Sequence, residues 1–149
     1  MKHVFVLAIG LIALPHTVLA QGRTNPVTVD IDDKSVAWGP CPAIFAPGCR
    51  IAVLHGDPAQ PNADVLLRIP AGATLPAHSH TSAERMILVH GELAVRYKGR
   101  AVSTLKPGNY AFGPAGMPHE AICKSATPCD LFIAFEGPVD ATGFSGTLD

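Results

Sequence analysis

Residues Gly72–Gly91 read GATLPAHSHTSAERMILVHG, with His78 and His80 two apart, Glu84 four further on, and a glycine at each end. On a strand, side chains two residues apart point to one face, about 6–7 Å from each other. Two imidazoles so placed can lean onto one cation at nitrogen–metal distances of about 2.0–2.1 Å. A helix would turn the same pair about 200° apart and lose the chelate. The spacing predicts strand and metal together. Glu84 keeps the parity of the two histidines, so a strand that stays regular or turns only locally brings its carboxylate to the same ion.

A second stretch, Gly108–Cys123, reads GNYAFGPAGMPHEAIC. Pro114, Gly116 and Pro118 shape a turn that delivers His119 onto a following strand. Taken together, the two stretches resemble the cupin superfamily. The first is similar to the motif G-x5-H-x-H-x3-E-x6-G at Gly72, His78, His80, Glu84 and Gly91. The second is similar to G-x5-P-x-G-x2-H-x3-N at Gly108, Pro114, Gly116 and His119, with Cys123 in place of the final Asn. Fixed residues in register at so many positions are far more specific than a lone H-x-H.

The resemblance implies an all-β fold, the double-stranded β-helix or jelly roll, with an ion near its wider mouth. It also implies pairing into a homodimer through edge strands or sheet faces. His78, His80, His119 and Glu84 would offer three nitrogens and one carboxylate to one divalent transition ion. Such ligation suits iron, manganese, nickel, copper or zinc and, on an ion preferring about five or six ligands, leaves one or two positions open for water, substrate or dioxygen. The small quercetinase-like dioxygenases that the chain resembles imply a metal-dependent oxidoreductase acting on a small molecule through an enolate or catecholate oxygen. Glu84 would serve as a ligand and, on dissociating, as general base. A non-catalytic ligand-binding or sensing module is the alternative, because the fold does not fix the function.

Outside the motifs, short apolar runs alternate with turn signals. VTVDI (27–31), SVAW (35–38), RIAVLHG (50–56), ADVLLRI (63–69), ERMILVHG (84–91) and ELAVRY (92–97) are expected strands. So are AVSTL (101–105), NYAFG (109–113), HEAIC (119–123) and CDLFIAFEG (129–137). ERMILVHG and ELAVRY are expected to face each other across the turn at His90–Gly91. Strands at this spacing, broken by Gly and Pro, indicate a sandwich or barrel. The expected domain runs from residue 21 to 149 with its core at about 50–137, and Ala141–Asp149 reads as a loose end.

Met1–Ala20 carries a basic start, the apolar run Val4–Leu14 and a small residue ahead of Gln21. The run is too short to span a bilayer, which takes about 20 apolar residues. It reads as a secretory signal peptide with cleavage after Ala20, so the expected protein is secreted or periplasmic, with no membrane contact after removal. The formal net charge of −1 supplies no basic field for nucleic acid. In an oxidising compartment the four cysteines allow three connectivities. Local pairing, Cys41–Cys49 and Cys123–Cys129, is expected. Cys123 shares strand parity with His119, which puts a thiol beside the pocket if that disulfide does not form. Arg68 is either a contact for an anionic substrate or simply solvated. Tyr110 and Phe112 share one face and read as pocket wall or core; His55 and His90 read as ordinary loop or strand-end residues.

Overall fold

The computed structural model describes residues 26–149. The expected signal segment lies outside the described residues. Among the described residues eleven strands form and no helix. They are β1 (Gly39–Pro40), β2 (Arg50–His55), β3 (Ala63–Ile69), β4 (Thr74–Ser79), β5 (Glu84–His90) and β6 (Leu93–Tyr97). β7 (Ser103–Leu105), β8 (Tyr110–Gly113), β9 (His119–Cys123), β10 (Cys129–Phe135) and β11 (Thr142–Gly143) complete the set. Period-two burial drives their formation: in β9 His119, Ala121 and Cys123 are buried while Glu120 and Ile122 between them are not.

Two antiparallel sheets result, in the orders β1-β2-β3-β10-β5-β8 and β11-β4-β9-β6-β7. From β3 onward the chain crosses between the sheets at every connection except the β6–β7 hairpin. That winding is the jelly roll. Val65, Ile69, Leu88, Leu93 and Leu131 meet between the sheets, each almost wholly buried. Burial of this kind contributes about 1.5–3 kcal/mol per side chain. Two disulfides, Cys41–Cys49 and Cys123–Cys129, tie the described chain. Such bonds suit an oxidising compartment.

Several local expectations give way. Val27–Ile31 and Ser35–Trp38 are not strands. The Asp30 and Asp33 carboxylates accept from the N–H groups of Asp32 and Ser35, and this Asx chemistry offers the backbone turns in place of a ladder. β5 and β6 do not face each other in a hairpin: β5 pairs with β10 and β8, while β6 pairs with β9 and β7. The turn at Gly91 instead carries the chain from one sheet to the other. Its φ is 86°, and a Cβ there would stand 2.8 Å from Cys129 Sγ, so glycine is required on both counts.

Tyr110 and Phe112 are neither core nor pocket wall. They pair with Ile87 and Arg85 on the outer face of β5 and are 58% and 48% exposed. The parity that buries Gly113 over the interior turns both rings outward. The C-terminal residues are not loose either: β11 pairs with β4, and Leu148 is buried. Arg68 is neither free nor turned to a substrate. Its guanidinium donates to both carboxylate oxygens of Asp130, at 2.7 and 2.8 Å, and lies over the Trp38 ring. His90 reaches the same carboxylate at 3.2 Å.

Candidate metal centre

Both sheets contribute to the site. His78 lies near the end of β4, and His80 just beyond it, where the chain leaves that sheet. His119 opens β9 and is the register partner of His78. Glu84 does not continue the strand of the histidines. The turn at 80–83 carries it to the first position of β5 in the opposite sheet, so its carboxylate approaches the imidazoles from across the interior. All four side chains are buried.

One ring nitrogen from each of His78, His80 and His119 lies within 4.8 Å of the other two. The other nitrogens are occupied. His78 Nδ1 donates to the carbonyl of Pro76 at 2.6 Å, His119 Nδ1 to that of Met117 at 3.2 Å, and His80 Nδ1 to that of Asp140. A carbonyl only accepts, so each Nδ1 carries the proton and each Nε2 is left with a bare lone pair. His119 Nε2 stands 3.3 Å from Glu84 Oε1, and His80 Nε2 stands 3.6 Å from Oε2. Glu84 Oε1 is buried with no hydrogen-bond partner among the described residues. Acceptors therefore face acceptors, an arrangement that a cation or a proton between them resolves. Imidazoles tied by Nδ1–H to backbone carbonyls are also the usual support of a metal site. The donor set fits a transition ion.

Electrostatics agree. Burial pushes the His78 imidazole down to about 4, against a smaller upward pull from the Pro76 carbonyl. Burial and the neighbouring His78 take His119 down to about 3, and burial lowers His80. All three are neutral near neutral pH, the state a ligand needs. Burial pushes the Glu84 carboxyl up to about 8. An ion in the cluster would reverse that preference and draw it back to the anion.

Each imidazole also meets one aromatic ring. Phe45 packs edge-on against His78 at 4.7 Å, Phe135 against His80 at 5.5 Å, and Tyr97 lies 5.0 Å from His119. Below the cluster a cavity of about 60 Å³ extends into the interior.

The ChrR cupin-like domain family matches residues 26–140. The chain belongs to that family. No curated protein is similar enough to this cupin to count as a relative. Solved structures share its fold at low identity. The DMSP lyase DddQ from Ruegeria pomeroyi is 20% identical, with a TM-score of 0.62 over 75% of this chain and 64% of that one. The polyketide cyclase RemF from Streptomyces resistomycificus is 17% identical, with a TM-score of 0.64 over 81% and 88%. An RmlC-like cupin from Shewanella frigidimarina is 22% identical, with a TM-score of 0.58 over 70% and 86%. The cupin spans 63% and 64% of the first two DMSP lyase chains it resembles.

Sequence reasoning brought His78, His80, His119 and Glu84 to one region but missed what surrounds them. Gly113 is one such residue: a Cβ there would lie 2.6 Å from Glu84 Oε1 and 2.8 Å from Cγ. Its register opposite Glu84 is invisible before the strands are paired. Tyr97 could have been found, because it keeps the parity of the buried Leu93 and Val95. Its hydroxyl is buried without a partner among the described residues, and burial, with Glu84 nearby, raises its pKa. Phe45 and Asp140 reach the site through loops, where parity says nothing. Cys123 does share the inward face with His119, but it lies at the other end of β9, about 13 Å away at strand rise, and bonds to Cys129.

Proposed function

We propose that this cupin is a metal-dependent enzyme of the oxidoreductase type, similar to the small dioxygenases, in which His78, His80, His119 and Glu84 hold one divalent transition ion. The observation that carries this reading is the convergence of three imidazole nitrogens beside the buried Glu84 carboxylate, with the bare Nε2 of His119 facing Oε1 and that of His80 facing Oε2. An ion held there supplies Lewis-acid polarisation of a substrate oxygen. The protein supplies the rest. Backbone carbonyls of Pro76, Asp140 and Met117 lock the three imidazoles in orientation and tautomer. Phe45 and Phe135 flank the cluster with apolar rings. Glu84, drawn back to the anion by the ion, would accept a substrate proton on an oxygen it frees from the ion and so act as general base.

The activities named for the solved structures differ from one another, and identities below a quarter carry the fold alone. The site supports the ion, and the dioxygenase type rests on the resemblance of the two motifs to the small quercetinase-like enzymes. We place the protein in an oxidising compartment, secreted or periplasmic, on the strength of its two disulfides. Oxygen electrode measurements on metal-loaded protein with candidate enols and catechols test the assignment. Consumption that requires the ion and is lost in Glu84→Gln is expected. Saturable ligand binding without any oxygen uptake would instead establish a non-catalytic binding module.

A further inference from the structure

The three imidazoles are not oriented by the same kind of partner. His78 Nδ1 donates to the carbonyl two residues behind it, at Pro76, and His119 Nδ1 to the carbonyl two residues behind it, at Met117. Each is set by the chain immediately before it. His80 Nδ1 instead reaches 60 residues along the chain, to the carbonyl of Asp140. Its orientation is conditional on where a remote segment lies.

That segment is tied to the strand of the histidines by several bonds. One carboxylate oxygen of Asp140 accepts from the Thr81 N–H at 2.9 Å, and the other accepts from the Thr81 hydroxyl. With its main-chain carbonyl on His80, Asp140 thus grips the His80–Thr81 pair at three points. On either side, the Val139 N–H donates to the Pro58 carbonyl and the Phe144 N–H to that of Ala77, each at 2.8 Å. Between them β11 runs antiparallel to β4, with Thr142 opposite Ser79 and Gly143 opposite His78. The family match ends at residue 140, so β11 lies beyond it.

We propose that residues 139–144 form a clasp on the histidine strand and that Asp140 is the positioning residue for His80. The Asp140 side chain acts through that imidazole: bound to Thr81, it pins its own carbonyl against Nδ1, which keeps the proton there and the Nε2 lone pair aimed at the cluster. Without the hold, either ring nitrogen can carry the proton, and Glu84 Oε2, 3.6 Å from Nε2, is placed to accept from the other tautomer. His78 and His119 keep their own carbonyls. The clasp deepens the metal reading above, on which only its consequence for affinity rests; partners that orient ligands change affinity by about 10–100-fold. The grip does not require a carboxylate. An amide in its place accepts from the Thr81 N–H through its oxygen and donates to the Thr81 hydroxyl through its nitrogen, whereas a methyl group does neither.

Nitrogen NMR of the imidazoles in metal-free protein gives one readout, and zinc affinity by competition against a chelator gives another. In wild type all three histidines are expected as Nδ1–H tautomers. In Asp140→Ala the His80 signal should move toward the Nε2–H tautomer while those of His78 and His119 stay, and zinc affinity should fall by about tenfold or more. Asp140→Asn should restore both. A general loosening of the fold would not single out one imidazole of the three. An unchanged His80 tautomer in Asp140→Ala, a shift shared by all three imidazoles, zinc affinity equal to wild type, or an Asp140→Asn that behaves as Asp140→Ala overturns the proposal and leaves the metal reading intact. Wild type that takes up no zinc overturns the metal reading, and the His80 tautomer alone then decides the clasp.

Discussion

Glu84 is the residue on which the site turns, because its carboxyl is held at about 8 by burial among imidazoles that stay neutral. Near neutral pH the metal-free protein therefore carries a proton on Glu84 and none on the Nε2 atoms. Binding an ion must expel that proton. Calorimetry in buffers of differing ionisation heat should register release of about one proton per ion in wild type and none in Glu84→Gln. Unchanged release in the variant would remove Glu84 from the ligand set. Gly113 governs the same carboxylate by leaving room for it. In Gly113→Ala the new methyl, 2.6 Å from Oε1, must displace the Glu84 side chain. Metal affinity should fall by about tenfold or more, the scale on which ligand-orienting neighbours act. An equilibrium competition against a chelator measures it, and an affinity equal to wild type would show that Glu84 does not contribute.

At the scale of strands, the two disulfides have different tasks. Cys123–Cys129 joins β9 to β10, which lie in different sheets, and it sits at the end of β9 away from His119. Its loss in a Cys123→Ala/Cys129→Ala variant should cost stability, about 2–3 kcal/mol on a chain-entropy argument, and leave metal stoichiometry unchanged. Denaturant unfolding and elemental analysis read the two effects separately; a large loss of metal with intact stability would reverse the assignment. Much of this layout was legible beforehand. The parity of His119, Ala121 and Cys123 and the Gly- and Pro-bounded runs gave the β9 face and the strands from Arg50 onward. What parity cannot give is which strand neighbours which. ERMILVHG and ELAVRY look like a hairpin because they are adjacent in sequence, yet Gly91 routes them to opposite sheets. For the same reason Glu84 reaches the histidines from across the interior, and the shared parity of Tyr110 and Phe112 does not say which face of β8 turns inward.

Across the whole molecule, three neighbouring strands of the larger sheet meet at one buried carboxylate. Asp130, almost fully buried on β10, accepts both bonds from Arg68 on β3 and one from His90 on β5. Burial alone would raise its carboxyl, but the bonds from Arg68 and His90 prevail and hold it below the ordinary 3.8. A depressed folded value means that the contribution is complete above the unfolded pKa and is lost as pH falls through the folded one. Wild type should therefore lose stability below about pH 4 more steeply than Asp130→Asn, whose stability is lower but flatter there. Equal slopes in acid unfolding curves would contradict the assignment. The account as a whole stands on the claim that two sheets close around one ion. Elemental analysis of purified wild type beside His78→Ala/His80→Ala addresses that claim most directly. About one divalent transition ion per chain in wild type and none in the double variant is the predicted result, since two of the imidazoles that define the cluster are gone; equal metal content in the two proteins would contradict it.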